Sequence, residues 1–273
     1  MNRPILHFSH ANGFPASCYA AMRRELARHY RIGAIEAIGA DPRYPVTDGW
    51  PRLVEQLIAT LEENYRGAPV FGVGHSMGAY LTFLAAARRP ELFRAIVMMD
   101  APVISAVRGR MLGAAKRFGY AIVDRVTPAG ATRDRRAEWS SREEAREHFR
   151  GRALFRNFTA ECLDDYVAHG LVKRGDRYRL KIDPAIETQI YRTVPHDMYR
   201  QLRHLRVPAG FVGGTKSDVL RRAGMGAMRG RRFLKRRVPG GHLFPFERPQ
   251  EAAAAVDDLL RQLASQPAGP VIT

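Results

Sequence analysis

The feature that most constrains this chain is Gly74-His75-Ser76-Met77-Gly78 and the company it keeps. The apolar run Pro69-Val70-Phe71-Gly72-Val73 precedes it. A second apolar run, Ala79 to Ala87, follows and stops at Pro90. The first run has the length and branching of a buried strand and the second has the length of a helix. Five residues must therefore reverse direction from strand to helix. Such a turn holds its central serine in a strained conformation, and tiny residues two before and two after let the flanking segments approach without Cβ clashes. Serine between two glycines at that spacing is the G-x-S-x-G pattern.

The rest of the chain supplies a sheet for that turn. Pro4–Ser9, Arg31–Ile38, Phe93–Met99, Pro208–Gly213 and Phe233–Val238 read as further short strands. Between them, Trp50, Leu53, Val54, Leu57, Ile58 and Leu61 repeat with helical period, with Pro51 at the first turn. Ser17 is positioned to cap a helix bearing Tyr19, Met22, Leu26 and Tyr30. Val256, Leu259, Leu260 and Leu263 form a closing helix, and the Pro/Gly-rich tail from Ser265 is expected to fray. This alternation predicts an α/β fold with a mostly parallel central sheet flanked by helices.

The alternation lapses between about Val103 and Leu205. A basic amphipathic helix is expected over Ile104–Ile122. Ser140 and Ser141 with Glu143 and Glu144 give a capping box, Thr159–His169 is a helix closed by Gly170, and a small hairpin turns at Gly175-Asp176. The expected division is a core of residues 1–102 and 206–273 and a helical cap of 103–205. Met111, Phe118, Phe149 and Phe155 are expected chiefly as cap core.

A serine hydroxyl needs a base, and the base an orienting partner. His242 follows the last strand in a Gly-Gly-His turn. Asp218 follows the strand before it, and Asp100 ends the strand before that. Loops beyond the carboxyl ends of parallel strands converge on one crevice. Ser76, His242 and an aspartate would meet there. Asp218 is preferred on position, with Asp100 the alternative. His10 reads as a loop brace and His75 as a variable turn position.

Composition narrows the classes. Two cysteines among 273 residues, Cys18 and Cys162, offer neither a disulfide framework nor a metal motif. No stretch approaches a membrane span, and the start lacks the apolar core of a signal peptide, so a cytoplasmic protein is expected. The net charge is +17. Its densest cluster, Arg229, Arg231, Arg232, Lys235, Arg236 and Arg237, has no interleaved aromatic stacking pattern, so a solvated surface and no nucleic-acid partner are expected.

These pieces together resemble the α/β-hydrolase superfamily: His10-Ala-Asn-Gly-Phe-Pro15 after the first strand, Gly-His-Ser-Met-Gly78, the loop with Asp218, and Gly-Gly-His242. Asn12 stands where the usual His-Gly-x-Pro loop has histidine, and the usual first hairpin is missing. The resemblance implies a nucleophilic Ser76, an oxyanion hole of Met77 and Phe14 amides, and no metal or organic cofactor. It implies a serine hydrolase, a probable carboxylesterase, acting on a small to medium carboxylic ester. Thioesterase or carbon–carbon bond hydrolase is the alternative within enzymes. A receptor-like protein with slow or no turnover, or a basic polyanion adaptor, is the alternative of another class. The oligomeric state is open, a homodimer being one arrangement.

Overall fold

The computed structural model describes residues 3–228 and 233–265. The chain begins with β1 (Ile5–Ser9), a 3-10 turn over Ala16–Tyr19 and α1 (Ala20–Leu26). Ser17 does not cap a helix. Its hydroxyl instead donates to Glu36 Oε2 (2.7 Å). Then come β2 (Arg31–Ala34), α2 (Pro51–Tyr65), β3 (Val70–His75), α3 (Met77–Arg88) and β4 (Phe93–Met99).

A long intervening segment follows: α4 (Ala106–Arg117), α5 (Tyr120–Val126), α6 (Ala129–Arg133), β5 (Glu138–Trp139), α7 (Arg142–Arg150), α8 (Ala160–His169), β6 (Leu171–Arg174), β7 (Arg177–Leu180), α9 (Pro184–Arg192) and α10 (Met198–Gln201). The alternation then resumes with β8 (Ala209–Gly214), α11 (Asp218–Ala223), β9 (Phe233–Val238), α12 (Phe244–Glu247) and α13 (Pro249–Ala264).

The main sheet has six strands in the order β2-β1-β3-β4-β8-β9, all parallel. β3, which carries the turn, lies inside it and is buried along its whole length. The helix after it, α3, is buried on nearly every side, as its composition predicts. Two apolar clusters cover the sheet's faces. One joins Leu6, Phe8, Val73 and Val97 to α1 and α13. The other joins Val70, Ile96 and Met98 to α2 and α3.

The intervening segment departs from expectation in three places. The helix expected over Ile104–Ile122 breaks at Phe118-Gly119, where Gly119 takes φ 110°. The hairpin β6–β7 forms, and β5 joins it to make a three-stranded sheet. Phe149 and Phe155 are buried with Trp139 and Tyr166, but Met111 and Phe118 are exposed by 67% and 78%. They are not core. The capping box is shared by both serines: Ser141 Oγ accepts from Glu144 N–H (3.1 Å), while Ser140 N–H donates to the Glu144 carboxylate (2.7 Å).

Among the described residues no helix is long and apolar enough to cross a membrane. Cys18 and Cys162 are free and buried. Arg229, Arg231, Arg232 and the tail beyond Ser265 lie outside the described residues.

Candidate active site

Ser76 stands between β3 and α3 with φ 53° and ψ −116°. A non-glycine residue held there costs about 1–3 kcal/mol, so its surroundings must enforce it. Two contacts show how. A Cβ on Gly74 would come within 2.3 Å of the Gly78 carbonyl, and one on Gly78 within 2.0 Å of the Ser9 carbonyl. The first glycine lets strand and helix close the turn. The second presses the start of α3 against the end of β1. Ser76 N–H is tied to the Met99 carbonyl (2.9 Å), which locks the turn to β4.

His242 Nε2 lies 3.0 Å from Ser76 Oγ, and its Nδ1 lies 2.7 Å from Asp100 Oδ2. Asp100 is fully buried at the end of β4, in the left-handed region at φ 48°. Its other contacts are the Gly214 N–H, donating to Oδ1 at 2.8 Å, and the Ser217 hydroxyl, donating to Oδ2. Three hydrogen bonds in a dry setting fix this carboxyl group in one orientation. Its bond to Nδ1–H leaves Nε2 bare toward Ser76, the tautomer that can take a hydroxyl proton.

The aspartate preferred on sequence position is therefore not the one the structure places against His242. Asp218 is 59% exposed and pairs with Arg221 (2.7 Å) in the first turn of α11, where a carboxylate suits the helix N-terminus. Ser217, one residue earlier, points inward and caps that helix through Leu220 N–H (3.3 Å).

The loop after β1 is held from every side. Ile38 N–H donates to His10 Nε2 (2.8 Å), so His10 Nδ1 carries its proton and donates to the Ala11 carbonyl (2.8 Å). Ala11 N–H donates to Tyr19 Oη (3.2 Å). Asn12 Nδ2 donates to the Glu187 carbonyl (2.9 Å). Gly13, at φ 78°, lies against the Glu187 carboxylate, which occupies the space a Cβ would need. The Phe14 N–H does not face the crevice unpaired. It donates to the Ala11 carbonyl (3.1 Å), while the Phe14 ring packs with Phe155, Phe158, Tyr166 and Phe246. Among the described residues the Asn12 and Gly13 N–H groups are without a partner, as is that of Met77, which opens α3 with no carbonyl one turn back.

Three residues around the site make contacts that the sequence does not announce. His75 is fully buried, with Nε2 2.9 Å from the His242 carbonyl and Nδ1 2.7 Å from Tyr19 Oη. Glu247 accepts from Gly241 N–H (3.0 Å) and braces the turn before His242. Glu187, buried on α9, pairs with Arg135 (2.6 Å), and burial raises its carboxyl to about 7 despite that guanidinium. For the first, the sequence signal is its place directly before Ser76, at the end of β3. The other two arise from contacts across the fold. Among the described residues no group of three or more His, Cys, Asp or Glu side chains is arranged to hold a metal ion.

Comparison with known proteins bears on the family and the fold. A 40% identical match over 89 residues links the chain to a monoglyceride lipase homolog of monkeypox virus, covering 30% of this chain and 32% of that protein. Human monoglyceride lipase matches at 30% over 112 residues, covering 38% and 36%. The chain thus spans about a third of the length of these relatives. Among solved structures, E-2-(acetamidomethylene)succinate hydrolase superposes with a TM-score of 0.75 at 19% identity, covering 96% of this chain and 92% of that one. An esterase of M. tuberculosis superposes at 0.71 and 20%, covering 96% and 86%. The family model described as "Alpha/beta hydrolase family" matches residues 8–256. With its six-stranded parallel sheet and its turn at Ser76, the chain belongs to the α/β-hydrolase family.

Proposed function

We propose that this hydrolase is a serine esterase that cleaves a small to medium carboxylic ester through an acyl-enzyme. The observation that carries the reading is the continuous chain Ser76 Oγ, His242 Nε2, His242 Nδ1, Asp100 Oδ2, with links of 3.0 and 2.7 Å. His242 takes the Ser76 proton as Oγ attacks the ester carbonyl. Asp100 stabilises the imidazolium that forms. The developing alkoxide rests on Met77 N–H and on an N–H of Asn12 or Gly13, each donor typically worth about 3–4 kcal/mol. His242 then protonates the leaving alkoxide, and the acyl-enzyme forms. A water molecule, deprotonated by His242, attacks the acyl carbon and releases the acid, restoring Ser76.

Residues 103–205 act in this reading as a cap. Through Glu187 and Tyr166 they touch the loop that supplies the second oxyanion donor, and so they govern what enters. The likeness to monoglyceride lipases supports an ester over other acyl substrates.

The test is hydrolysis of p-nitrophenyl esters from acetate to dodecanoate beside an acyl thioester. Wild-type turnover of the esters that Ser76→Ala abolishes is expected. Equal loss-free turnover by Ser76→Ala, or thioester cleavage alone, contradicts the ester reading.

A further inference from the structure

Helix α4 is inside out. Val107, Met111, Ala114 and Phe118 recur at i, i+4, i+7 and i+11, the stripe that a helix of a globular protein turns inward. Here Val107, Met111 and Phe118 are exposed. The opposite side faces the protein. Gly109 lies on the His196 carbonyl so closely that a Cβ would approach it to 2.1 Å, and Gly113 lies on the His196 ring. Lys116, on the same side, pairs with Asp48 and donates to the Val194 carbonyl. The glycine face fixes the rotation of the helix, and the apolar stripe is left outside.

The stripe runs on past the break at Gly119. Tyr120 and Ile122 are exposed too, so five of the six exposed large hydrophobic residues among the described residues fall between positions 107 and 122. Arginines flank it. Arg110 and Arg117 lie one side of the stripe, seven residues apart, and Arg125 follows on α5. All three are exposed, and among the described residues none has an acidic partner. Beside them opens a cavity of about 780 Å³, lined by Arg110, Lys116, Arg117, Arg192 and Arg200 against two aspartates.

An apolar stripe bordered by unpaired arginines is the arrangement of a helix that lies in a bilayer interface. We propose that α4 and α5 form a peripheral docking surface for anionic lipid. Val107, Met111, Phe118, Tyr120 and Ile122 enter the boundary of headgroups and acyl chains, and Arg110, Arg117 and Arg125 take the lipid phosphates. Charge favours this occupant over a second copy of the chain. Two such faces would bring like-charged arginine flanks of +17 chains together, whereas anionic headgroups neutralise them.

Co-sedimentation with vesicles tests this. The full chain is expected to partition onto phosphatidylglycerol/phosphatidylcholine vesicles, and far less onto phosphatidylcholine alone. Met111→Ser with Phe118→Ser leaves the charge unchanged and is expected to lower partitioning at least tenfold. Arg110→Gln with Arg117→Gln is expected to lower it on anionic vesicles only. Both pairs should keep the wild-type Tm, since the altered groups are exposed. Ser76→Ala should bind as wild type, which separates this surface from the esterase reading. No partitioning onto anionic vesicles overturns the proposal, as does binding that the serine pair leaves undiminished. A dimer in sedimentation velocity that the serine pair dissolves would assign the surface to a second copy instead.

Discussion

The buried imidazole of His75 holds the backbone of His242: Nε2 of the one lies 2.9 Å from the carbonyl of the other. A carbonyl only accepts, so Nε2 of His75 carries the proton. Burial, and secondarily the nearby His242, push the His75 pKa well below 6.5, so the ring is neutral and its Nδ1 accepts from the Tyr19 hydroxyl at 2.7 Å. Tyr19 Oη in turn accepts from Ala11 N–H. One hydrogen-bonded line thus joins the loop after β1 to the residue proposed as the base.

Tyr19→Phe cuts that line at its middle while keeping the ring in its cluster. It strands Ala11 N–H and His75 Nδ1. We expect kcat to fall roughly tenfold, the effect of about 1.4 kcal/mol, with KM changed less. Tyr30→Phe, which loses a comparable hydroxyl bond to Asp257 on another part of the fold, should leave kcat near wild type. Equal effects from the two would assign Tyr19 to stability alone.

The two aspartates separate cleanly. Asp100→Asn leaves His242 without a carboxylate and permits the wrong tautomer. Turnover should drop by about 10⁴-fold. Asp218→Asn removes only an exposed ion pair with Arg221, and turnover should stay within about twofold. Steady-state kinetics on one p-nitrophenyl ester decides between them.

Much of this was readable in the residues. β3, Ser76 and α3 announce themselves because local patterning and glycine placement agree there. Ser76 and His242 lie beyond strand ends, where their positions in the chain put them. Which aspartate lies against His242 is not legible there, because β4 and β8 are neighbours and the loop after β8 meets Asp100. Whether Ser217 or Asp218 points inward depends on where α11 begins, and one residue of phase decides it. The pairing of the Phe14 N–H is hidden for a related reason: it closes a turn on Ala11 that only the folded loop reveals. Met111 and Phe118 have the spacing of core residues, but the packing of Gly109 and Gly113 on His196 sets which side of α4 is inside.

Gly78→Ala tests the close approach beneath the turn. Its methyl group would need the Ser9 carbonyl to move from 2.0 Å away. Backbone yields poorly, so we expect destabilisation of about 1–3 kcal/mol and a Tm lower by several degrees, with activity reduced because the β1 loop shifts. A melt followed by circular dichroism checks the first, and ester turnover the second.

Stability should depend on pH in a direction set by buried histidines. Burial lowers His7 and His10 to about 4, and His75 is also lowered. Below pH 6.5 the unfolded chain binds protons that these folded rings refuse, so stability is lost as pH falls from about 6.5 toward 4. Glu187 acts oppositely. Its folded pKa of about 7 lies above the unfolded 4.5, so it favours the folded state as pH drops through that window. Three histidines outweigh one carboxyl, so Tm should fall on acidification. Glu187→Gln should steepen the fall. A Tm that stays flat from pH 7 to 4.5 in wild type would contradict this balance.

Intact mass after exposure to a fluorophosphonate tests directly the assignment of Ser76 as the nucleophile. One stoichiometric adduct is expected, mapped by peptide sequencing to Ser76, absent from Ser76→Ala and strongly slowed in Asp100→Asn. No adduct on the folded wild-type chain, or an adduct that persists in Ser76→Ala, would contradict it.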